Sequence, residues 1–206
     1  KGVIVGALEI FYAQSPRRYE EGFVEALTSL AMKDPLTDLP NRTYLTNVLE
    51  SKLLEHRRFG RKFCVCFVDI DNFTLFNNYF GHTVGDSILQ SIAGSFLRSL
   101  RGSDRIGRWG GEEFLGVFGV KGDQDPYIIS ERVRMLVACS GVTHKGSQLA
   151  VTASVGLTVV QPNDTVDSIV SRADSLMYKS KKRGKNCSTT DAPPPIDGLP
   201  ETILVD

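Results

Sequence analysis

The sequence predicts an α+β fold, a sheet with helices on its faces, and two observations carry that prediction. Residues 62–69 (KFCVCFVD) are apolar at both alternating sets of positions, as a central strand covered on both sides must be. Two β-like runs, 104–109 and 114–120, flank Gly110-Gly111-Glu112-Glu113, and short strands around paired glycines read as an antiparallel hairpin. From Asp34 onward the elements run α β α β β α β α. A hairpin in the middle of that order excludes a doubly wound parallel sheet.

Each element has its own signal. Residues 3–12 are rich in β-branched and aromatic side chains and read as one strand, the last of a preceding domain, with wording (GVIVGALEIF) that resembles the closing strand of PAS-type sensor domains. Phe23, Leu27 and Leu30 give residues 17–32 a single apolar seam, which suits a linker helix. Asp34-Pro35 and Asp38-Leu39-Pro40-Asn41 are turn signals, and the helix after them carries Tyr44, Leu45, Val48, Leu49 and Leu53 on one face. After the strand at 62–69, Ile88, Leu89, Ile92, Ala93, Phe96 and Leu97 repeat at helical spacing up to Arg101-Gly102. Residues 126–137 read as a helix and 149–160 as one strand. Val166, Ile169, Val170, Ala173, Leu176 and Met177 form a last amphipathic helix that ends at Gly184. The expected organisation is an upstream strand at 1–15, a linker at 16–33, a compact domain at 34–188 and a Pro-rich tail at 189–206.

The 206 residues carry 24 Lys plus Arg against 24 Asp plus Glu, so no overall field attracts nucleic acid or an anionic membrane, and any anion site must be a local cluster. The expectation is therefore no nucleic-acid partner and no direct membrane contact. Cys64, Cys66, Cys139 and Cys187 form no C-x-x-C pair and read as reduced thiols of a cytoplasmic chain. The opening at Lys1, already in a strand-like pattern, predicts a piece of a longer protein, with any membrane anchor upstream.

Asp69 and Asp71 lie two apart at a strand end, so their carboxylates leave from the same face and are expected to converge. Oxygen ligands of that kind favour Mg²⁺, which takes one or two carboxylates together with water and phosphate oxygens. A lone D-x-D is more often a pair of solvated acids. Glu112 and Glu113 change the weighing, because two acids set in a hairpin turn by two glycines exceed what turn formation requires. Gly110 and Gly111 would also let a base or polyphosphate approach the backbone, or else mark only a type I′ turn. His82 by itself reads as a loop histidine, and Lys179, Lys181, Lys182, Arg183 and Lys185 as cations favoured at a helix C-terminus.

Arg108-Trp109-Gly110-Gly111-Glu112-Glu113-Phe114 resembles the signature of GGDEF domains, the diguanylate cyclases, in its GGEEF spelling. The resemblance extends over Asp34-Pro35-Leu36-Thr37 with Asn41-Arg42, Val68-Asp69-Ile70-Asp71, Phe80-Gly81-His82 through Gly85-Asp86, Arg172-Ala173-Asp174 through Tyr178, and Gly184-Lys185-Asn186. It implies a mainly antiparallel five-stranded sheet flanked by helices, similar to the nucleotidyl cyclase core, and the condensation of two GTP into cyclic di-GMP in a homodimer. By position, Asp69, the Ile70 carbonyl and Glu112 would hold Mg²⁺, or Mn²⁺ in its place, with Glu112 or Glu113 deprotonating the attacking 3′-hydroxyl. Asn77 and Asp86, with His82 nearby, would read guanine; Phe73, Thr74, Gly110 and Gly111 would line the GTP site; Lys181 and Lys185 would contact its phosphates.

A carboxylate at Asp86 accepts from guanine N1–H and the N2 amine, donors that adenine does not offer in that arrangement. Arg101-Gly102-Ser103-Asp104 supplies an R-x-x-D pattern where many cyclases bind their own product, and Arg132 matches a further contributing arginine. One departure stands out: Thr74 occupies a position where active members generally carry a lysine. Loss of one cationic donor at a phosphoryl-transfer centre costs on the order of 10²-fold in rate. Asn78 likewise replaces a usual aspartate. The rival expectation is a degenerate module that binds GTP or cyclic di-GMP without turnover.

Overall fold

A computed structural model describes residues 32–99, 101–120 and 125–191. The upstream strand, nearly all of the linker helix and the tail beyond Asp191 lie outside the described residues. From Asp34 the chain forms one compact unit. In chain order its elements are α1 (Arg42–Phe59), β1 (Phe63–Ile70), α2 (Phe73–Phe80), α3 (His82–Ser99), β2 (Arg105–Arg108), β3 (Glu113–Gly119), α4 (Pro126–Ala138), β4 (Gly141–His144), β5 (Ser147–Ala150), β6 (Ala153–Val159), α5 (Val166–Lys182) and β7 (Ser188–Thr190).

Five strands make the main sheet in the order β2-β3-β1-β6-β7. Every pairing is antiparallel except β6 with β7, which is parallel. This is the α+β architecture the sequence predicts.

The period-two geometry of β1 divides the core. Cys64, Cys66, Val68 and Ile70 face α3 and α4, packing among Ile88, Leu89, Ile92, Phe96 and Val133. Phe63, Val65 and Phe67 face the other way, against Leu45, Leu49 and Leu53 of α1 and Ile169, Ala173 and Met177 of α5. Both faces are covered, which is why all eight residues of β1 are buried. On β6, Gly156 faces α5 at a distance no side chain tolerates: a Cβ there would lie 2.1 Å from the Met177 nitrogen and 2.2 Å from the Ala173 oxygen.

Four features depart from the sequence reading. The strand expected over 149–160 is two elements, because β5 pairs with β4 in a separate hairpin before β6 begins. That hairpin turns at Lys145 and Gly146, both with positive φ, as a type I′ turn requires. Helix α2 went unpredicted: FTLFNNYF is poor in strong helix formers, and tertiary packing supplies what propensity lacks. The third helix starts at His82, ahead of the apolar repeat, and includes Gly85, where a Cβ would lie 1.9 Å from Asn77 Oδ1. Finally, Thr189 and Thr190, read as the start of the tail, belong to β7.

Candidate active site

The register of the central strands assembles the site. Asp69 pairs with Glu113 across β1 and β3, and the Ile70 amide donates to the Glu112 carbonyl at 3.3 Å. By the same parity as Phe63, Val65 and Phe67, Asp69 leaves β1 on the α5 face, as Glu113 leaves β3. Helix α5 answers with Lys181, whose Nζ lies 2.7 Å from Asp69 Oδ2. The carboxylate is only 8% exposed and the ammonium 32%, so the pair is wet on the lysine side.

The acids are held uncomfortably. Burial pushes the Asp69 carboxyl above its ordinary value; Lys181 opposes the shift, and Asp71 and Asp174 add to it. Glu112 is raised by burial and then by Asp69, against Lys181. Glu113 is raised by burial, by Asp69 and by Asp174, again against Lys181. A divalent cation among these oxygens would relieve both the burial and the mutual repulsion. The donor set, two carboxylates and a backbone carbonyl, consists only of hard oxygens, which fits Mg²⁺. Among the described residues no three His, Cys, Asp or Glu side chains gather into a metal-binding group.

The turn that presents Glu112 is built from its flanks. Trp109 and Gly110 amides donate to the Glu113 carbonyl at 2.8 and 3.3 Å. Arg108 wraps the outside, with Nε donating to the Gly110 and Gly111 carbonyls at 3.2 and 3.0 Å and Nη2 to Gly111 at 2.7 Å. Its Nη1 meets both Asp34 oxygens at 3.2 Å. Burial alone would raise the Asp34 carboxyl, but Thr37 and Arg108 outweigh it and hold it below the usual range. The guanidinium of Arg42 stacks 4.7 Å from the Trp109 ring centroid, closing the α1 side. Neither Gly110 nor Gly111 has positive φ, so the type I′ alternative does not apply. A Cβ at Gly110 would sit 2.6 Å from Glu113 Oε2, so a side chain there would push the Glu113 carboxylate aside.

Asp71 does not converge with Asp69 on a shared point. Its Oδ2 accepts from Thr152 Oγ1 at 2.7 Å and from the Asn186 amide at 2.9 Å, and its Oδ1 accepts from the buried Ser154 hydroxyl at 2.7 Å. It is a structural clamp. With β1 ending at Ile70 and Asn72 left-handed at φ 57°, the side chain swings to β6 and the loop after α5. That loop carries Gly184, Lys185 and Asn186, all at positive φ. Lys185 Nζ donates to the Asn72 side-chain oxygen, which brings this lysine back to the residue that precedes α2. Lys185 in the left-handed region costs roughly 1–2 kcal/mol and Asn186 less, so the turn persists because it is tied down.

The guanine-reading candidates lie on α2 and α3. Phe73 is buried, Thr74 is exposed in the first turn of α2, and Asn77 is half-buried, its Oδ1 buried with no partner among the described residues. His82 and Asp86 are exposed one helical turn apart at the start of α3. A groove of about 460 Å³ runs on the other flank of α2, walled by Asn72, Leu75, Phe76, Tyr79, Phe80 and Val151; Asn77, His82 and Asp86 do not line it. At the opposite side of the hairpin, Asp104 is buried and pairs with Arg132 Nη2 at 3.5 Å, while Arg101 is exposed. Sequence reasoning passed over Arg108, Arg42 and Asp174 as contributors; Asp174 was visible only as part of the Arg172-Ala173-Asp174 motif, with no role attached.

No helix among the described residues is long and apolar enough to cross a membrane. A family model for "Diguanylate cyclase, GGDEF domain" matches residues 31–187. The chain is 36% identical over 156 residues to the diguanylate cyclase DgcP of Pseudomonas aeruginosa, covering 76% of this chain but only 23% of DgcP. Among solved structures, the diguanylate cyclase SiaD of P. aeruginosa, crystallised with its activator SiaC, aligns with a TM-score of 0.77 at 33% identity over 90% of this chain and 70% of that one. The GGDEF domain of DgcB from Caulobacter crescentus, in complex with c-di-GMP, aligns with a TM-score of 0.72 at 30% identity over 78% of this chain and 93% of that one. With Asp69, Glu112 and Glu113 brought together at the sheet's end and the family match spanning most of the sequence, the chain belongs to the GGDEF family.

Proposed function

We propose that the chain is a diguanylate cyclase, joining two GTP into cyclic di-GMP with release of two pyrophosphates. The observation that carries the reading is the register of β1 with β3, which sets Asp69 beside the Glu112-Glu113 turn with Lys181 over both. Asp69, the Ile70 carbonyl and Glu112 would hold Mg²⁺, which when bound lowers the pKa of the attacking hydroxyl and offsets charge on the phosphates.

The chain's own groups perform the rest. Glu112 or Glu113 takes the proton from a ribose 3′-hydroxyl, a task favoured by the upward shift that burial and Asp69 impose on both. The 3′-oxygen forms its bond to the α-phosphorus as the bond to the β-phosphate oxygen breaks. Lys181 and Lys185 meet the charge that develops on the pyrophosphate. Asp86 and Asn77 read the guanine edge, with the Asp86 carboxylate accepting from guanine donors, which selects GTP over ATP. Each protomer presents one half-site and the product contains two new phosphodiester bonds, so two protomers must face each other about a two-fold axis. The residues upstream of Asp34 would control that pairing, and the Arg101, Asp104 and Arg132 patch would bind cyclic di-GMP as inhibitor. Such a reaction belongs in the bacterial cytoplasm, where GTP is supplied.

Incubation with GTP and Mg²⁺ followed by mass detection should show cyclic di-GMP, with a rate that rises faster than linearly in protomer concentration. Thr74 favours one second reading, a binding module without turnover. GTP or cyclic di-GMP affinity without product would establish that reading and overturn the first.

A further inference from the structure

Arg134 of α4 takes no part in the chemistry above, yet its guanidinium is held through all three of its nitrogens. Nε donates to Glu131 Oε1 and Oε2 at 3.1 and 3.0 Å, and Nη2 donates to Oε2 at 2.8 Å. The side chain is 15% exposed. Because this fork occupies one edge of a planar group, the remaining Nη1 has a fixed direction, and it donates to Asn186 Oδ1 at 2.7 Å. Burial would raise the Glu131 carboxyl, but the hydrogen bonds and charge of Arg134 outweigh it and keep it ionised to hold the fork.

Asn186 is thereby gripped at two points: its amide by Asp71 at 2.9 Å and its side chain by Arg134. It sits at φ 44° directly after Lys185 at φ 66°. Asparagine is the residue type that tolerates this conformation and still offers a carbonyl to grip; glycine would tolerate it and offer nothing. The two grips fix the backbone of an otherwise exposed turn, and so fix where the Lys185 side chain departs.

We infer that Arg134 is a positioning residue for Lys185, acting through Asn186, so that helix α4 sets the geometry of the phosphate-contacting turn. The inference rests on the cyclase reading for the role of Lys185. A lysine at 134 cannot replace the arginine, because one ammonium cannot span the Glu131 fork and the Asn186 oxygen together.

The test is a double-mutant cycle on GTP turnover by the whole chain. R134A should lower kcat/KM for GTP about tenfold, R134K should not restore it, and R134A/K185A should be no slower than K185A alone. N186G keeps the left-handed backbone while removing the grip, and should give the R134A loss with an unchanged melting temperature. Multiplicative losses for R134A and K185A, or an N186G protein with wild-type kcat/KM, would overturn the inference. If the wild type makes no cyclic di-GMP, the cyclase reading fails by itself. The same cycle, read from the Kd of a non-hydrolysable GTP analogue, then decides the role of Arg134: non-additive losses support it and additive ones end it.

Discussion

Replacing Asp69 by asparagine tests how the site is held together. The carboxylate is 8% exposed, its partner Lys181 is 32% exposed, and burial leaves the Asp69 carboxyl raised even with the ammonium 2.7 Å away. The charged form is thus held in the fold at a net cost. Removing one partner of a fully buried ion pair strands the other charge, but Lys181 keeps its contact with water, so loss of a carboxylate that burial disfavours should stabilise the fold only slightly, by about 1 kcal/mol. For a domain of this size that corresponds to a rise in Tm of about 2–4 °C. The sign with pH follows from linkage. A carboxyl raised in the folded state contributes stability that is complete below its unfolded pKa and is lost as pH rises through the folded value. The advantage of D69N over wild type should therefore be present at neutral pH and vanish as pH falls below about 4, where Asp69 is protonated in both states. Thermal melts followed by near-UV circular dichroism, in EDTA across this pH range, measure the effect, and the GTP assay should show activity lost at least 10²-fold. A D69N protein less stable than wild type by 1 kcal/mol or more at pH 7 would refute the reasoning, making the ion pair a structural tie.

Three further outcomes are expected. D71A removes the acceptor of three hydrogen bonds and leaves the Ser154 hydroxyl buried and unpaired, so urea unfolding should report a loss of about 2–4 kcal/mol; a loss under 1 kcal/mol would contradict the clamp. T74K restores a cation to the first turn of α2 and should raise kcat about tenfold or more, whereas an unchanged rate would show that Thr74 is not the limiting departure. R101A should straighten late progress curves by weakening product feedback, and curves identical to wild type would remove Arg101 from the inhibitory patch.

Much of the fold was legible because it follows from periodicity. The doubly apolar run of β1 announced a strand covered on both faces, and the core divides along that alternation. That Asp69 ends a strand and that Glu112 and Glu113 sit at a glycine-paired turn was legible as local pattern, and the register of β1 with β3 sets Asp69 opposite Glu113. What the sequence hid depends on contacts between distant segments. Helix α2 exists because Phe73 and Phe76 pack into the core, despite Asn77 and Asn78. The fate of Asp71 was hidden because its partners, Thr152, Ser154 and Asn186, lie more than eighty residues away in sequence. Arg108 and Arg134 look like ordinary surface arginines until the carbonyls and the asparagine they hold are brought to them.

The flat contact at Gly156 decides more than local packing. With no carbon between β6 and the backbone of Ala173 and Met177, the last helix rides as low on the sheet as a polypeptide can. Lys181 lies one turn beyond Met177, so the height of that seam is the ruler against which its reach to Asp69 is cut. A single methyl group at position 156 would act as a shim, lifting the ammonium from the acids while every charged residue kept its identity.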